Sequence, residues 1–277
     1  MTRLLAGLLL ALGLLAGCSD GSDKSADPDP TPSASTTPPA PAKPAPRPKP
    51  GTCHSLSYDA AVAPTFDAKT VSCKAKHTAE TFFVGTLDTV VDGHLVTVDS
   101  DRVQQQVSSA CPRELAGFLG GSAEDLRLSM LTTVWFSPTV EQSDEGQDWF
   151  RCEVIAIGGP EELLLLDGPT KGVLGTDTGR ATYGMCGTAK PGTTDFERVA
   201  CARSHSWRAV GTVDVRPAKG GAYPGVEAAR DAGQSTCEDT VRDLADDPLK
   251  FTWGYEWPNK KQWSAGQHYG FCWAPEA

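Results

Sequence analysis

The sequence predicts an α+β chain built as two similar small domains, each an antiparallel sheet with a packed helix and two disulfides. Three observations carry this. Of nine cysteines, Cys18 ends an apolar N-terminal run, and the others form two sets of four, Cys53, Cys73, Cys111, Cys152 and Cys186, Cys201, Cys237, Cys272. The landmarks around the two sets recur in the same order, which is the signature of duplication. Within each set, short strand-like segments alternate with one segment whose apolar residues lie three or four apart, the spacing of a helix face.

The repeat is detailed. Gly51-Thr52-Cys53 matches Gly184-Met185-Cys186. Val71-Ser72-Cys73 with His77 four residues on matches Val199-Ala200-Cys201 with His205 four residues on. A Gly-Thr pair follows each histidine, Gly85-Thr86 and Gly211-Thr212. Pro138, Gly146-Gln147 and Cys152 have the offsets of Pro258, Gly266-Gln267 and Cys272, and an aromatic stands three residues before each proline, Trp135 and Tyr255. This places the first domain over residues 51–157 and the second over 184–277. Glycines and an Asp-Gly pair punctuate the inter-repeat segment 158–183, with Leu163–Leu166 in it reading as a strand.

In the first copy, Thr81–Leu87 holds strand formers. Asp99 or Ser100 caps a helix with Val103, Val107, Cys111, Leu115 and Phe118 or Leu119 on one face. Pro112 is expected to kink that helix or to begin a second one, because it removes an internal bond and crowds the preceding turn. Leu131–Phe136 and Trp149–Ile157 follow as strands. The second copy repeats the order with Trp207–Val215, a helix over residues 225–245, Phe251–Trp257 and Tyr269–Trp273. In that helix Cys237, Val241 and Leu244 form the buried face, and Ser235 with Glu238 reads as a capping box. Strand order is not legible.

Eight cysteines allow 105 pairings. A unit copied with its own four cysteines should close its own bridges, which leaves three patterns per copy. The preferred one joins first to second and third to fourth: Cys53–Cys73, Cys111–Cys152, Cys186–Cys201 and Cys237–Cys272. The last bridge of each copy would fasten helix to final strand, at about 3 to 4 kcal/mol per bridge on a loop-entropy estimate.

Residues 1–18 carry one early charge, Arg3, and a leucine- and alanine-rich run closing on Leu15-Ala16-Gly17-Cys18. The run is short for a membrane-spanning helix of about 20 residues and fits a secretory segment. It resembles the lipobox of bacterial lipoprotein precursors, which implies lipidation at Cys18 and an anchor in the lipid bilayer. The expected location is the outer face of the plasma membrane, where disulfides persist. Residues 19–50, rich in Pro, Ser, Thr, Ala and Lys, read as a disordered, extended tether.

No catalytic set is legible. A nucleophilic serine needs a base and an orienting group, and no Gly-x-Ser-x-Gly elbow occurs. Asp125, Glu141, Asp144, Glu145 and Asp148 read as a solvated face, and His54, His94 and His268 as single occurrences. A secreted carboxylate-dependent hydrolase acting on a cell-envelope substrate, with its site between the copies, is the alternative reading. Cys73 with His77 and Cys201 with His205 look like zinc ligand pairs, but every cysteine has a disulfide partner and no close Cys-x-x-Cys exists, so no metal and no cofactor is expected. His77 and His205 read first as turn-fixing groups beside the bridges and second as ligand contacts. With 25 basic against 35 acidic residues, net −10, nucleic acid is disfavoured as a partner. Trp257 and Trp263 flank the polar loop Pro258–Gln262, where aromatic rings can provide a platform for a glycan or a peptide.

The repeated unit resembles the septum formation family of actinobacterial envelope lipoproteins, carried by Gly51-x-Cys53, Val71-x-Cys73-x-x-x-His77, Cys111 and Pro138 through Trp149 to Cys152. The second copy supplies Gly184-x-Cys186, Val199-x-Cys201-x-x-x-His205, Cys237 and Pro258 through Cys272. The resemblance implies a part in division or envelope assembly with no reaction attached. The expectation is a non-enzymatic binding or scaffold module whose partner is an envelope or division-associated protein or a wall component.

Overall fold

The structure, a computed structural model, describes residues 46–66 and 68–276. The expected signal segment, Cys18 and the tether up to residue 45 lie outside the described residues. The first repeat comprises β1 (Cys53–His54), β2 (Thr70–Val71), β3 (Ala79–Thr86), α1 (Asp101–Leu119), β4 (Leu131–Phe136) and β5 (Trp149–Gly159), and β6 (Glu162–Leu164) follows in the inter-repeat segment. The second comprises β7 (Met185–Gly187), β8 (Arg198–Ala200), β9 (Trp207–Asp214), α2 (Val226–Asp231), α3 (Gln234–Leu244), β10 (Gly254–Glu256) and β11 (Tyr269–Pro275).

The strand paths are the same. The first sheet runs β2-β1-β3-β5-β4 with β6 added on β5, and the second runs β8-β7-β9-β11-β10. All pairs are antiparallel. Even the irregularities coincide: register shifts between Thr81 and Phe83 on β3 and between Ala209 and Gly211 on β9. Each copy turns into its last strand through a short helix with a reciprocal capping box, Thr139 with Gln142 and Asn259 with Gln262. A left-handed glycine then follows, Gly146 at φ 88° and Gly266 at φ 93°, a conformation that a side chain would strain. The four bridges are Cys53–Cys73, Cys111–Cys152, Cys186–Cys201 and Cys237–Cys272.

Several sequence expectations need correction. Gly85-Thr86 and Gly211-Thr212 are not equivalent: Gly85 pairs with Phe150 two residues before Cys152, whereas Gly211 pairs with Cys272 itself. α1 is unbroken through Pro112. Pro112 is itself exposed, and the helix buries Val103, Val107, Cys111, Leu115 and Leu119; at about 1.5–3 kcal/mol per buried large side chain, that exceeds the roughly 3 kcal/mol cost of an interior proline. The second helix is instead two, separated at Ala232 and Gly233. The Tyr255 ring presses on the backbone there, 2.2 Å from where a Cβ on Gly233 would stand. α3 starts after Gly233 with no side-chain cap, and Ser235 lies inside it, so no Ser235–Glu238 box forms. Leu244, at 63% exposure, leaves the buried face to Cys237 and Val241. Only Gly254–Glu256 of the expected strand Phe251–Trp257 is paired.

One apolar cluster runs through both repeats. It joins Val103, Val107, Leu115, Leu119, Leu131 and Val154 to Met185, Trp207, Phe271 and Trp273, with Leu164, Leu166, Leu174 and Tyr183 of the inter-repeat segment between them. Backbone bonds bind the same junction: Met130 N–H donates to Tyr183 O at 2.7 Å, and Met185 N–H to Leu128 O at 2.7 Å. The expected strand at Leu163–Leu166 is split, its first part pairing with β5 as β6 and Leu166–Asp167 pairing with Lys76–His77. A second cluster, Leu56, Ala61, Ala79, Phe136 and Ile155, closes another part of the first repeat.

Candidate functional site

The two repeated histidines sit beside the first bridge of each copy. His77 is fully buried and its Nδ1 lies 2.8 Å from Ala75 O; His205 Nδ1 lies 2.7 Å from Arg203 O. Each imidazole thus clasps the turn two residues before it. A carboxylate completes both sets, though from different places. Cys53, His77 and Glu80 cluster in the first copy, and Cys186, His205 and Glu276 in the second. The cysteine sulfurs are committed to disulfides, so no thiolate is left for a metal. Glu80 accepts from Thr170 N–H and Oγ1, both at 2.7 Å. Glu276 accepts from Arg208 Nε at 2.5 Å and lies 3.4 Å from His205 Nε2. These sets tie the turn to distant chain.

A second cluster was not legible as a site in the sequence. Glu153, with no exposure, accepts from Thr81 Oγ1 at 2.7 Å and stands 3.3 Å from Arg151 Nε and 3.4 Å from His54 Nδ1. Thr52 Oγ1 donates to Thr81 Oγ1 at 2.9 Å. The Arg151 guanidinium lies 4.0 Å from the Phe66 ring centroid, a cation–π contact. Burial pushes Arg151 below its ordinary value, and the Glu153 charge opposes that shift. Arg151 and Glu153 flank Cys152, so they share the strand face opposite the bridge. Two charges at i and i+2 in an otherwise apolar strand were the available signal. Sealed by its neighbours, the cluster has the character of an internal ion set, not of a substrate site.

Trp257 and Trp263 do not form the expected exposed platform. Trp263 is 6% exposed, packs with Val215, Ala229, Tyr223 and Trp257, and donates its indole N–H to Gly221 O at 3.1 Å. Trp257 is half-buried. The loop between them is the short helix Lys260–Ser264, which turns Trp263 inward.

The acidic residues are dispersed. Asp125 caps Ser122, whose backbone N–H and hydroxyl hold its carboxyl below the ordinary range. Glu141 lies in a first helical turn, and Asp148 pairs with Arg47 at 3.0 Å. A cavity of about 110 Å³ between the repeats is lined by Asp125, Ser129, Arg180 and Arg208 among others. Its single carboxylate is not the carboxylate pair that glycoside hydrolysis requires.

Against known proteins, the family described as Septum formation matches the chain over residues 24–139 and again over residues 50–272. The second match spans most of the chain, and the chain belongs to this family. No curated protein and no solved structure matches it. Among the described residues no helix is long and apolar enough to cross a membrane.

Proposed function

We propose that this septum formation protein is a non-enzymatic lipoprotein, held at the outer face of the plasma membrane by acylated Cys18, whose two repeats dock an envelope or division-associated protein or a wall component. The observation that carries the reading is the fused body: two copies on one apolar core, closed by four bridges. Such a body presents a preorganised surface, so little ordering cost opposes binding. Four bridges suit an oxidising compartment, and the sequence up to residue 50 supplies an anchor and a spacer. The buried Glu153 set and the capped or paired carboxylates named above leave those groups structurally committed.

The test combines an anchor and a contact. Labelling with a palmitate analogue should mark the wild-type chain and not Cys18→Ser, which should appear in the medium. Photo-crosslinkers at Leu95 and Leu249, which are 81% and 95% exposed, should capture a reproducible division or wall-synthesis partner, and a fluorescent fusion should gather at division sites. Uniform distribution without a specific crosslink would overturn the docking reading; a Cys18→Ser chain that stays lipidated would overturn the anchor.

A further inference from the structure

The second repeat carries an aromatic ladder that the first lacks. Phe251, Trp253, Tyr255 and Trp257 alternate in sequence across β10 and the chain on either side of it, and all four line one depression. β10 is the outer strand of its sheet. Tyr255 pairs with Cys272 as Trp135 pairs with Cys152. By the same offset, Leu131, Thr133 and Ser137 stand where the second copy has Phe251, Trp253 and Trp257. The first sheet therefore closes with one aromatic on this strand, whereas in the second Trp253 and Trp257 also pack in part against Cys237, Tyr255 and Cys272. Tyr255 is the ladder's buried base, whereas Phe251, Trp253 and Trp257 remain half-buried.

Two depressions adjoin along this edge and share Phe251 and Thr252, one of about 460 Å³ and one of about 490 Å³. The first adds Trp253, Trp257, Lys190 and Gln234, and the second adds Leu244, Asp246, Asp247 and Lys250. We infer that this track binds an uncharged polysaccharide chain. Sugar rings offer apolar C–H faces to aromatic rings, and their hydroxyls suit an ammonium, an amide and carboxylates placed along the rim. Two adjoining depressions fit a chain better than a compact ligand. The Asp246 and Asp247 carboxylates and the net charge of −10 disfavour anionic polymers.

A proline-rich basic peptide is the competing occupant, since such segments also dock on aromatic grooves. Within the described part of the proline-rich basic segment of this chain, residues 46–50, Arg47 is already engaged on the first repeat, donating to Asp148 Oδ1, Gly85 O and Thr86 Oγ1. The inference deepens the wall-component half of the docking reading and rests on it.

The test uses the full chain carrying Cys18→Ser, titrated with six-residue chains of N-acetylglucosamine, glucose and mannose and followed by tryptophan fluorescence and calorimetry. Saturable binding of at least one neutral chain is expected. Trp253→Thr with Trp257→Ser, which installs the first-repeat residues, should weaken it at least about tenfold while all four bridges persist in peptide maps. Lys190→Ala with Gln234→Ala, confined to the rim, should weaken it without altering near-UV circular dichroism. Binding unchanged in both double variants, no binding of any neutral chain, or tighter binding of a polyanionic glycan or of a peptide spanning residues 42–50 would each overturn the inference. Absent glycan binding beside intact crosslinks from Leu95 would remove the groove and leave the docking reading standing.

Discussion

The two repeats share a strand path, a bulge position and a bridge pattern, yet they fill the same sheet face by opposite chemistry. The first places His54, Thr81, Arg151 and Glu153 there; the register sets Gly187, Ala209, Phe271 and Trp273 at the same positions in the second. In the second copy Phe196 packs edge-on against Trp273 at 5.1 Å, where the first has Phe66 edge-on to His54 at 5.0 Å. The second copy moves its ion pair outward: Arg198 meets Glu256 at 2.8 Å with both side chains partly exposed, and lies 4.6 Å from the Phe271 centroid. The framework therefore fixes topology, while the face it encloses tolerates either a charged, polar set or a mainly apolar one. Half of either would fail, because a buried charge without its partner costs far more than the pair gains.

The largest effect should come from the element the repeats share. The helix-to-strand bridges Cys111–Cys152 and Cys237–Cys272 close loops of 41 and 35 residues. Each is worth about 4 kcal/mol by loop entropy. Reduction of all four bridges should unfold the chain at room temperature, seen as loss of near-UV circular dichroism. Replacing either helix-to-strand pair by alanines should lower stability about equally and keep one denaturant transition, because the apolar core is continuous; two transitions would show that the copies fold separately.

Next is the buried ion set. Glu153→Ala leaves Arg151 buried without a counterion and should cost about 3–5 kcal/mol in urea denaturation. Grafting the second copy's residues together, His54→Gly, Thr81→Ala, Arg151→Phe and Glu153→Trp, should cost less than that single change. A graft that costs more would show that the polar set is specific to the first copy's backbone.

Alkaline pH should separate the copies further. Burial pushes the Tyr255 phenol up to about 12 from its ordinary 10, while the equivalent Trp135 does not titrate. The unfolded chain releases this proton first, so the stability contribution is full below pH 10 and is lost as pH rises toward about 12. Tyr183 and Tyr269 are raised by burial too. Tyr255→Phe should reduce the fall in melting temperature over this window without abolishing it; an unchanged fall would place the sensitivity elsewhere.

The smallest difference is expected at the matched caps. Thr139→Ala and Asn259→Ala each remove a side-chain acceptor from a short helix and should each cost about 1 kcal/mol in thermal denaturation. Unequal losses would reveal that one turn is held by its packing instead.

Sequence alone determined the duplication, the α+β class and most strands, because these depend on local spacing: cysteine offsets, alternating apolar residues and turn glycines. It narrowed the bridges to three patterns per copy and preferred one, and the pairing itself was decided by which cysteines the fold brings together. It also supported the turn-fixing role of His77 and His205, whose contacts lie two residues away. It did not reveal the Glu153 set, because Thr52, His54, Thr81 and Glu153 meet only when β1, β3 and β5 pair. It misjudged the helix ends for a related reason. Pro112 is tolerated because the helix that holds it packs Val103, Val107, Leu115 and Leu119 into the core, and the Tyr255 ring, more than twenty residues away, leaves no room for a side chain at Gly233, where the second helix is interrupted. The inward turn of Trp263 and the union of two copies on one core were likewise tertiary decisions. Spacing records which face a residue shares with its neighbours, but what covers that face is set by chain brought in from a distance.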